Sequence, residues 1–189
     1  RGLGDVYKRQ LVEDGKAVHF PLSNGTQGVR GMAISPDGRY LAVAHVLSRY
    51  QVPTTQLDRG WMNTNAVTVI DTDEPDKPHP VLLDDPDAGA ANPWGVSFSE
   101  DGGKLFVTHA GTHELSVIDF PALLERMKRE DRSNEPVSER LGFLHGLRTR
   151  IALPLNGPRS VASDGKNVYV AGYFSDSLAE ISLKDACKS

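Results

Sequence analysis

The chain has 189 residues, enough for one ordinary domain with a sizeable core. Its formal net charge of −4, from 21 basic and 25 acidic residues, argues against general nucleic-acid binding, which needs a basic surface to neutralise phosphates. The single cysteine, Cys187, excludes an internal disulfide, a two-cysteine haem attachment and a cysteine-rich metal site within this stretch.

No apolar run approaches the roughly 20 residues that cross a bilayer. Eighteen glycines and twelve prolines suit a turn-rich β protein. The opening, Arg1-Gly-Leu-Gly-Asp-Val-Tyr-Lys-Arg-Gln10, resembles translated sequencing-adaptor sequence, so residues 1–10 are set aside as a non-native leader. Behind such a start the lack of a visible signal peptide says little. Lys16-Ala-Val-His-Phe20 then reads as the outer strand of a truncated unit covering residues 11–27.

Three copies of one pattern follow. Gly31-Met-Ala-Ile-Ser-Pro-Asp-Gly38 leads into Arg39-Tyr-Leu-Ala-Val-Ala-His45, and Gly95-Val-Ser-Phe-Ser-Glu-Asp-Gly102 into Gly103-Lys-Leu-Phe-Val-Thr-His109. Ser160-Val-Ala-Ser-Asp-Gly165 leads into Lys166-Asn-Val-Tyr-Val-Ala-Gly172, two residues shorter before its turn. Each copy predicts strand, Asp-Gly turn, strand, because glycine takes positive φ without a Cβ clash and the flanks alternate with period two.

A third strand is predicted in each copy at 66–71, 114–119 and 178–183, and a fourth at 80–83 and 150–153. Four antiparallel strands per repeat is the plan of a β-propeller blade. The fold class is therefore all-β, a partial β-propeller of about two and a half to three four-stranded blades, with long loop insertions and one short helix. Its blades are residues 28–85, residues 86–155 with a helical insertion, and a partial blade at 156–185.

The Asp-Gly turns at 37, 101 and 164 are further apart than the ~40–45 residues of a compact blade. The excess falls in an insertion from Leu47 to Thr64 and another from Pro121 to Gly146. Within the second, Pro121 to Glu130 is a helix candidate with Pro121 at the first helical position and Leu123, Leu124 and Met127 on one face. The mixed charges from Glu125 to Arg132 read as a solvated face.

Gly31-Met-Ala-Ile-Ser-Pro-Asp-Gly-Arg-Tyr-Leu-Ala-Val-Ala44 with Asn65-Ala-Val-Thr-Val-Ile-Asp71 resembles the YVTN-type β-propeller repeat, and the pattern covers most of residues 28–185. Four further segments are more specific: Arg49 to Asn65, Leu82 to Gly95, Thr108 to Glu114, and Gly172-Tyr-Phe-Ser-Asp-Ser177. Together they resemble bacterial propeller proteins joined to a cytochrome c peroxidase-like haem domain. That resemblance implies a periplasmic or cell-surface location and electron-transfer partners: a c-type haem domain or cytochrome, together with the remaining blades of the same chain. It implies no cofactor within this stretch, with haem c carried further downstream.

In a propeller of this kind the first strand of each blade lines the central channel. That places Arg30, Trp94 and Arg159 near one mouth, just ahead of the first strands, with His45 and His109 at the ends of the second strands on the same face. Trp61, in the first insertion, and His113 complete the ligand- or partner-binding candidates. A structural role for His45 and His109, bonding a neighbouring loop, stands beside the binding role.

His109, His113 and Glu114 have zinc-helix spacing, but Ala110-Gly-Thr112 reads as a hairpin loop, which removes the geometric reason for it. Asp84, Asp85 and Asp87 form an acidic turn, open to calcium or to plain turn stabilisation. No catalytic residues or metal ligands are assigned. The readings carried forward are a non-catalytic binding or scaffold module coupled to a haem domain, a lactonase-like hydrolase using His109, Glu114 and Arg159, and a cell-surface scaffold with no small ligand.

Overall fold

The computed structural model describes residues 8–13, 16–48, 62–130 and 140–186, arranged in four antiparallel sheets that follow one another along the chain. The first is a hairpin of β1 (Lys8–Glu13) and β2 (Lys16–Pro21). The partner of the strand expected at 16–20 thus includes Lys8, Arg9 and Gln10 of the segment set aside above. Only Asp14 and Gly15 separate the two strands in sequence, a spacing that favours a hairpin.

The second sheet holds β3 (Thr26–Gln27), β4 (Met32–Ile34), β5 (Tyr40–Ser48), β6 (Asn63–Asp71) and β7 (His79–Leu82). Thr26 and Gln27 pair with Leu47 and Val46, so they lie in this sheet and not with the preceding residues. The third sheet runs β8 (Pro93–Phe98), β9 (Lys104–His109), β10 (Glu114–Asp119) and β11 (Arg148–Ala152). The fourth comprises β12 (Pro158–Ser163), β13 (Asn167–Gly172) and β14 (Ser177–Ser182). Helix α1 (Phe120–Glu130) joins β10 to β11, and a single turn, α2 (Leu183–Ala186), follows β14.

Each Asp-Gly turn is locked by its own side chains. The Ser35 hydroxyl donates to Asp37 at 2.5 Å and accepts the Tyr40 N–H at 2.8 Å; Ser99 does the same with Asp101 and Lys104 at 2.6 and 2.8 Å. Gly38 and Gly102 close these turns at φ 75° and 70°, where a side chain would be strained.

Period-two alternation gives each central sheet two apolar faces. Ala42, Val67, Val69 and Val81 of the second sheet pack on Leu105, Val107 and Ile118 of the third. The back of the third sheet sets Phe106, Leu115 and Val117 against Val168, Val170 and Ala179 of the fourth. Each such aliphatic side chain taken fully from water contributes about 2 kcal/mol. The far face of the fourth sheet is uncovered, with Leu178 77% exposed at the place where Leu115 is fully buried one sheet earlier.

Helix α1 starts at Phe120, one residue before the proline, because the Asp119 carboxylate caps it by accepting the Ala122 N–H at 3.0 Å. Leu123 and Met127 enter the core between the second and third sheets. Arg126 departs from the solvated face expected of this stretch. Its guanidinium donates to the carbonyls of Phe143 and His145 at 2.7 and 2.8 Å and ties the return loop to the helix. The ends of the first insertion extend the strands: Leu47 and Ser48 pair with Thr64 and Asn63.

Candidate functional site at the convergence of the first strands

The first strands of successive sheets converge, β4 on β8 and β8 on β12. Two glycines permit the approach. A Cβ on Gly31 would overlap the Trp94 carbonyl oxygen, and one on Gly95 would sit 2.8 Å from the Arg159 carbonyl oxygen. Just before each point the strand is irregular. The register shifts between Pro93 and Val96, and again between Pro158 and Ser160. In the second sheet, Arg30 and Gly31 interrupt the path between β3 and β4 while still bonding Ala44 through their backbones at 3.1 and 2.9 Å. Irregularities of this kind re-aim side chains. Here they deliver Arg30, Trp94 and Arg159, one from each repeat, to a single place.

The Arg30 Cζ lies 4.5 Å from the Trp94 ring centroid and the Arg159 Cζ 4.1 Å from it. Arg159 also stacks on Tyr173 at 3.8 Å and approaches Phe174 at 5.1 Å. Each stacked cation contributes about 1–2 kcal/mol when partly desolvated. Arg30 donates to Asn92 Oδ1 at 3.1 Å and to the Pro93 carbonyl at 3.4 Å. Burial, and then the neighbouring Arg159 charge, lower the Arg30 pKa from its ordinary value. The Arg159 Nε is buried without a hydrogen-bond partner. Among the described residues no carboxylate pairs with either arginine. A cavity of about 450 Å³ opens here, lined by both arginines, Trp94, Met32, Val96 and Val161.

The other candidates lie elsewhere. His45 and His109 are fully buried and do not reach the cavity. His109 donates from Nδ1 to the Ala90 carbonyl at 3.1 Å and accepts at Nε2 from the Ser116 hydroxyl at 2.7 Å. His45 repeats this with the Val46 carbonyl and Thr68 at 3.1 and 2.6 Å. Burial, then the charges of Arg148 and Arg150, push the His109 pKa down to about 3. Both histidines are built into the sheets, and a ligand-contacting role for them gives way to that geometry. His113 sits at φ 58° in the β9–β10 turn, at the same end of the sheet as Trp94 but outside the cavity. Its Nδ1 accepts the Gly157 N–H at 3.0 Å. Trp61 falls outside the described residues.

Two carboxylates of the acidic turn, Asp84 and Asp85, are taken up by structure, and Asp87 is exposed. Asp84, buried, accepts from the Asn65 backbone and side chain and from the Ala90 N–H at 2.6, 2.8 and 2.6 Å. Asp85 takes Arg148 at 2.5 Å and Arg150 at 3.1 Å, and Arg150 also pairs with Glu114. Sequence reading missed this network. Its signal was the Arg148-Thr-Arg150 spacing, which puts both guanidiniums on one strand face. His109, Glu114 and Arg159 are therefore not brought together: the first is buried, the second is paired with Arg150, and the third stacks on Trp94. Among the described residues no three His, Cys, Asp or Glu side chains cluster as a metal site, and no helix is long and apolar enough to cross a membrane.

Antiparallel sheets stacked face to face, with their first strands converging and presenting equivalent side chains at one end, define this chain as part of a β-propeller. It is similar to hydrazine synthase subunit beta of Kuenenia stuttgartiensis, with 28% identity over 174 residues, 90% of this chain and 45% of that protein. The solved Kuenenia stuttgartiensis hydrazine synthase superposes with a TM-score of 0.79 at 28% identity, over 89% of this chain and 49% of the other. The chain thus spans about half the length of the relatives it matches. A chain of the nidogen/laminin complex shares the fold at 18% identity, with a TM-score of 0.57 over 92% of this chain and 50% of that one. No family profile matches the chain.

Proposed function

We propose that this chain is the propeller portion of a non-catalytic subunit in an extracytoplasmic redox assembly. It scaffolds partner subunits, among them one carrying c-type haem, and uses the mouth at Arg30, Trp94 and Arg159 as a binding face. The carrying observation is the 28% identity along 90% of the chain to a protein named as one subunit of a synthase. Burial of His45 and His109 supports the same reading, because these two histidines hold strands together and face no solvent. The resemblance of the loop motifs to propellers joined to haem domains supports the haem-bearing partner and the location outside the cytoplasm.

The test is affinity capture of the tagged full-length protein from cells expressing its genomic neighbours. Co-elution of a second chain with a c-type pyridine haemochrome spectrum is the expected result. Elution of the tagged chain alone, free of haem, overturns the reading.

A further inference from the structure

The mouth holds two guanidiniums, one indole and no paired carboxylate among the described residues. Arg30 spends one nitrogen, Nη1, on Asn92 and Pro93, which leaves Nε and Nη2. The Arg159 guanidinium makes no hydrogen bond to the described residues, and its Nε is buried. A guanidinium carries five N–H donors in a planar fork matched to oxyanions, and a buried donor left unpaired is costly. Stacking on Trp94 satisfies the faces of the cations but none of these donors, which radiate in the guanidinium plane.

We propose that this mouth binds a small oxyanion, a carboxylate or phosphate group, held between Arg30 and Arg159. This deepens the reading of the mouth as a binding face and rests on it. The geometry separates an oxyanion from other ligands. A cation is repelled by two like charges. An aromatic ligand finds the indole already covered by guanidiniums from the two neighbouring sheets. A nucleic acid is disfavoured by the net charge of −4. The cavity, about 450 Å³, is of the size that takes a small molecule. Its walls place Met32, Val96 and Val161 beside the charges, so a short apolar body attached to the oxyanion would be accommodated.

The repeat explains how the site arises. Positions 30, 94 and 159 are equivalent, and the two glycines that follow the first two bring their strands within stacking distance. The order Arg, Trp, Arg sets both cations against one indole, with Arg30 Cζ 4.5 Å and Arg159 Cζ 4.1 Å from its centroid.

Succinate and inorganic phosphate, titrated separately into the full-length protein at low chloride and followed by calorimetry, test the proposal. A tryptophan-fluorescence change that Trp94→Phe removes gives an independent signal. Saturable one-site binding of at least one probe is expected, and the better probe identifies the carboxylate or the phosphate as the natural group. Arg159→Gln should weaken binding at least tenfold. Arg30→Gln, at a half-exposed site, should do so too with an unchanged circular dichroism spectrum, which guards against a folding artefact in the first variant. Arg39→Gln, whose guanidinium pairs with Asp71 beside an Asp-Gly turn, should bind as wild type. Absence of saturable binding at millimolar probe, or equal affinity across all four proteins, overturns the proposal. Failure of the titration leaves the co-purification result standing, and failure of the co-purification leaves the titration standing.

Discussion

The carbonyl oxygen of Arg159 lies 2.8 Å from the position a Cβ on Gly95 would take, so the two strands meet backbone to backbone at the foot of the arginine–tryptophan stack. Gly31 is more confined: its Cβ would overlap the Trp94 carbonyl and lie 3.1 Å from the Val96 nitrogen. Neither glycine has a positive φ, so the constraint is close approach and not backbone conformation. Backbone atoms cannot rotate away as a side chain can. Gly95→Ala should cost about 1–2 kcal/mol and Gly31→Ala about 3 kcal/mol, in the range seen for overpacking. Urea midpoints measure both, and an unchanged midpoint for Gly31→Ala would show that the sheets are free to separate.

Much of this architecture is legible in the sequence because its signals are local. The Asp-Gly turns, the alternation in Met32–Ile34 and Leu105–Val107, and Pro121 ahead of an apolar helix face each act within a few residues. Arg30, Trp94 and Arg159 were legible as one set because the repeat places them at equivalent positions. What they do to each other was not, since the stack depends on strand irregularities and on two glycine contacts between separate sheets. For His45 and His109 the sequence left a structural and a binding role side by side, and only the fold shows the strand contacts of both and the loop holding Ala90 that meets His109. The Asp85–Arg148–Arg150–Glu114 network joins residues more than sixty positions apart, beyond the reach of any local pattern.

The buried His109 makes stability depend on pH. Its folded pKa is about 3 against an ordinary 6.5, so the unfolded chain takes up a proton that the folded chain refuses. Above pH 6.5 neither state is protonated and nothing is lost; as pH falls from 6.5 toward 3, stability falls with it. At pH 5 the loss is about 2 kcal/mol, at about 1.4 kcal/mol per pH unit. His109→Gln should be less stable than wild type at pH 7.5, where the Ala90 and Ser116 bonds are disturbed, yet should lose less on acidification. Urea unfolding at pH 7.5 and pH 5 measures both slopes. Parallel slopes would mean that the histidine gains a proton without unfolding.

Asp85, itself partly exposed, balances the charge of a nearly dry arginine. The Arg148 side chain is only 4% exposed, and Asp85 is its carboxylate partner at 2.5 Å. Asp85→Ala would leave the guanidinium with the Leu83 carbonyl as its remaining short contact. A loss of about 3 kcal/mol is expected, as for other buried pairs broken on one side. Arg148→Met in the same background should recover part of it, because the uncompensated charge then disappears. Denaturant curves for the two single variants and the double variant decide this. A double variant as unstable as the sum of the singles would rule out coupling between the pair.

The fourth sheet offers a face that resembles the third sheet's but has no cover among the described residues. Phe106 and Leu115 are fully buried against the following sheet, whereas Tyr169 and Leu178, at the same register one repeat later, are 37% and 77% exposed. Polar contacts soften the face: Asn167 donates to Glu180 at 2.7 Å, and the Tyr169 hydroxyl donates to Asp164 at 3.0 Å. The apolar area left in water is still that of a blade face, and an unpaired blade face tends to find another. The 189-residue chain expressed by itself should therefore self-associate in a concentration-dependent way. Leu178→Lys should shift it toward the monomer without lowering the urea midpoint, because the substituted side chain makes no core contact. Sedimentation velocity across a dilution series measures the shift. Unaltered association in Leu178→Lys would move the sticky surface to the opposite end of the chain.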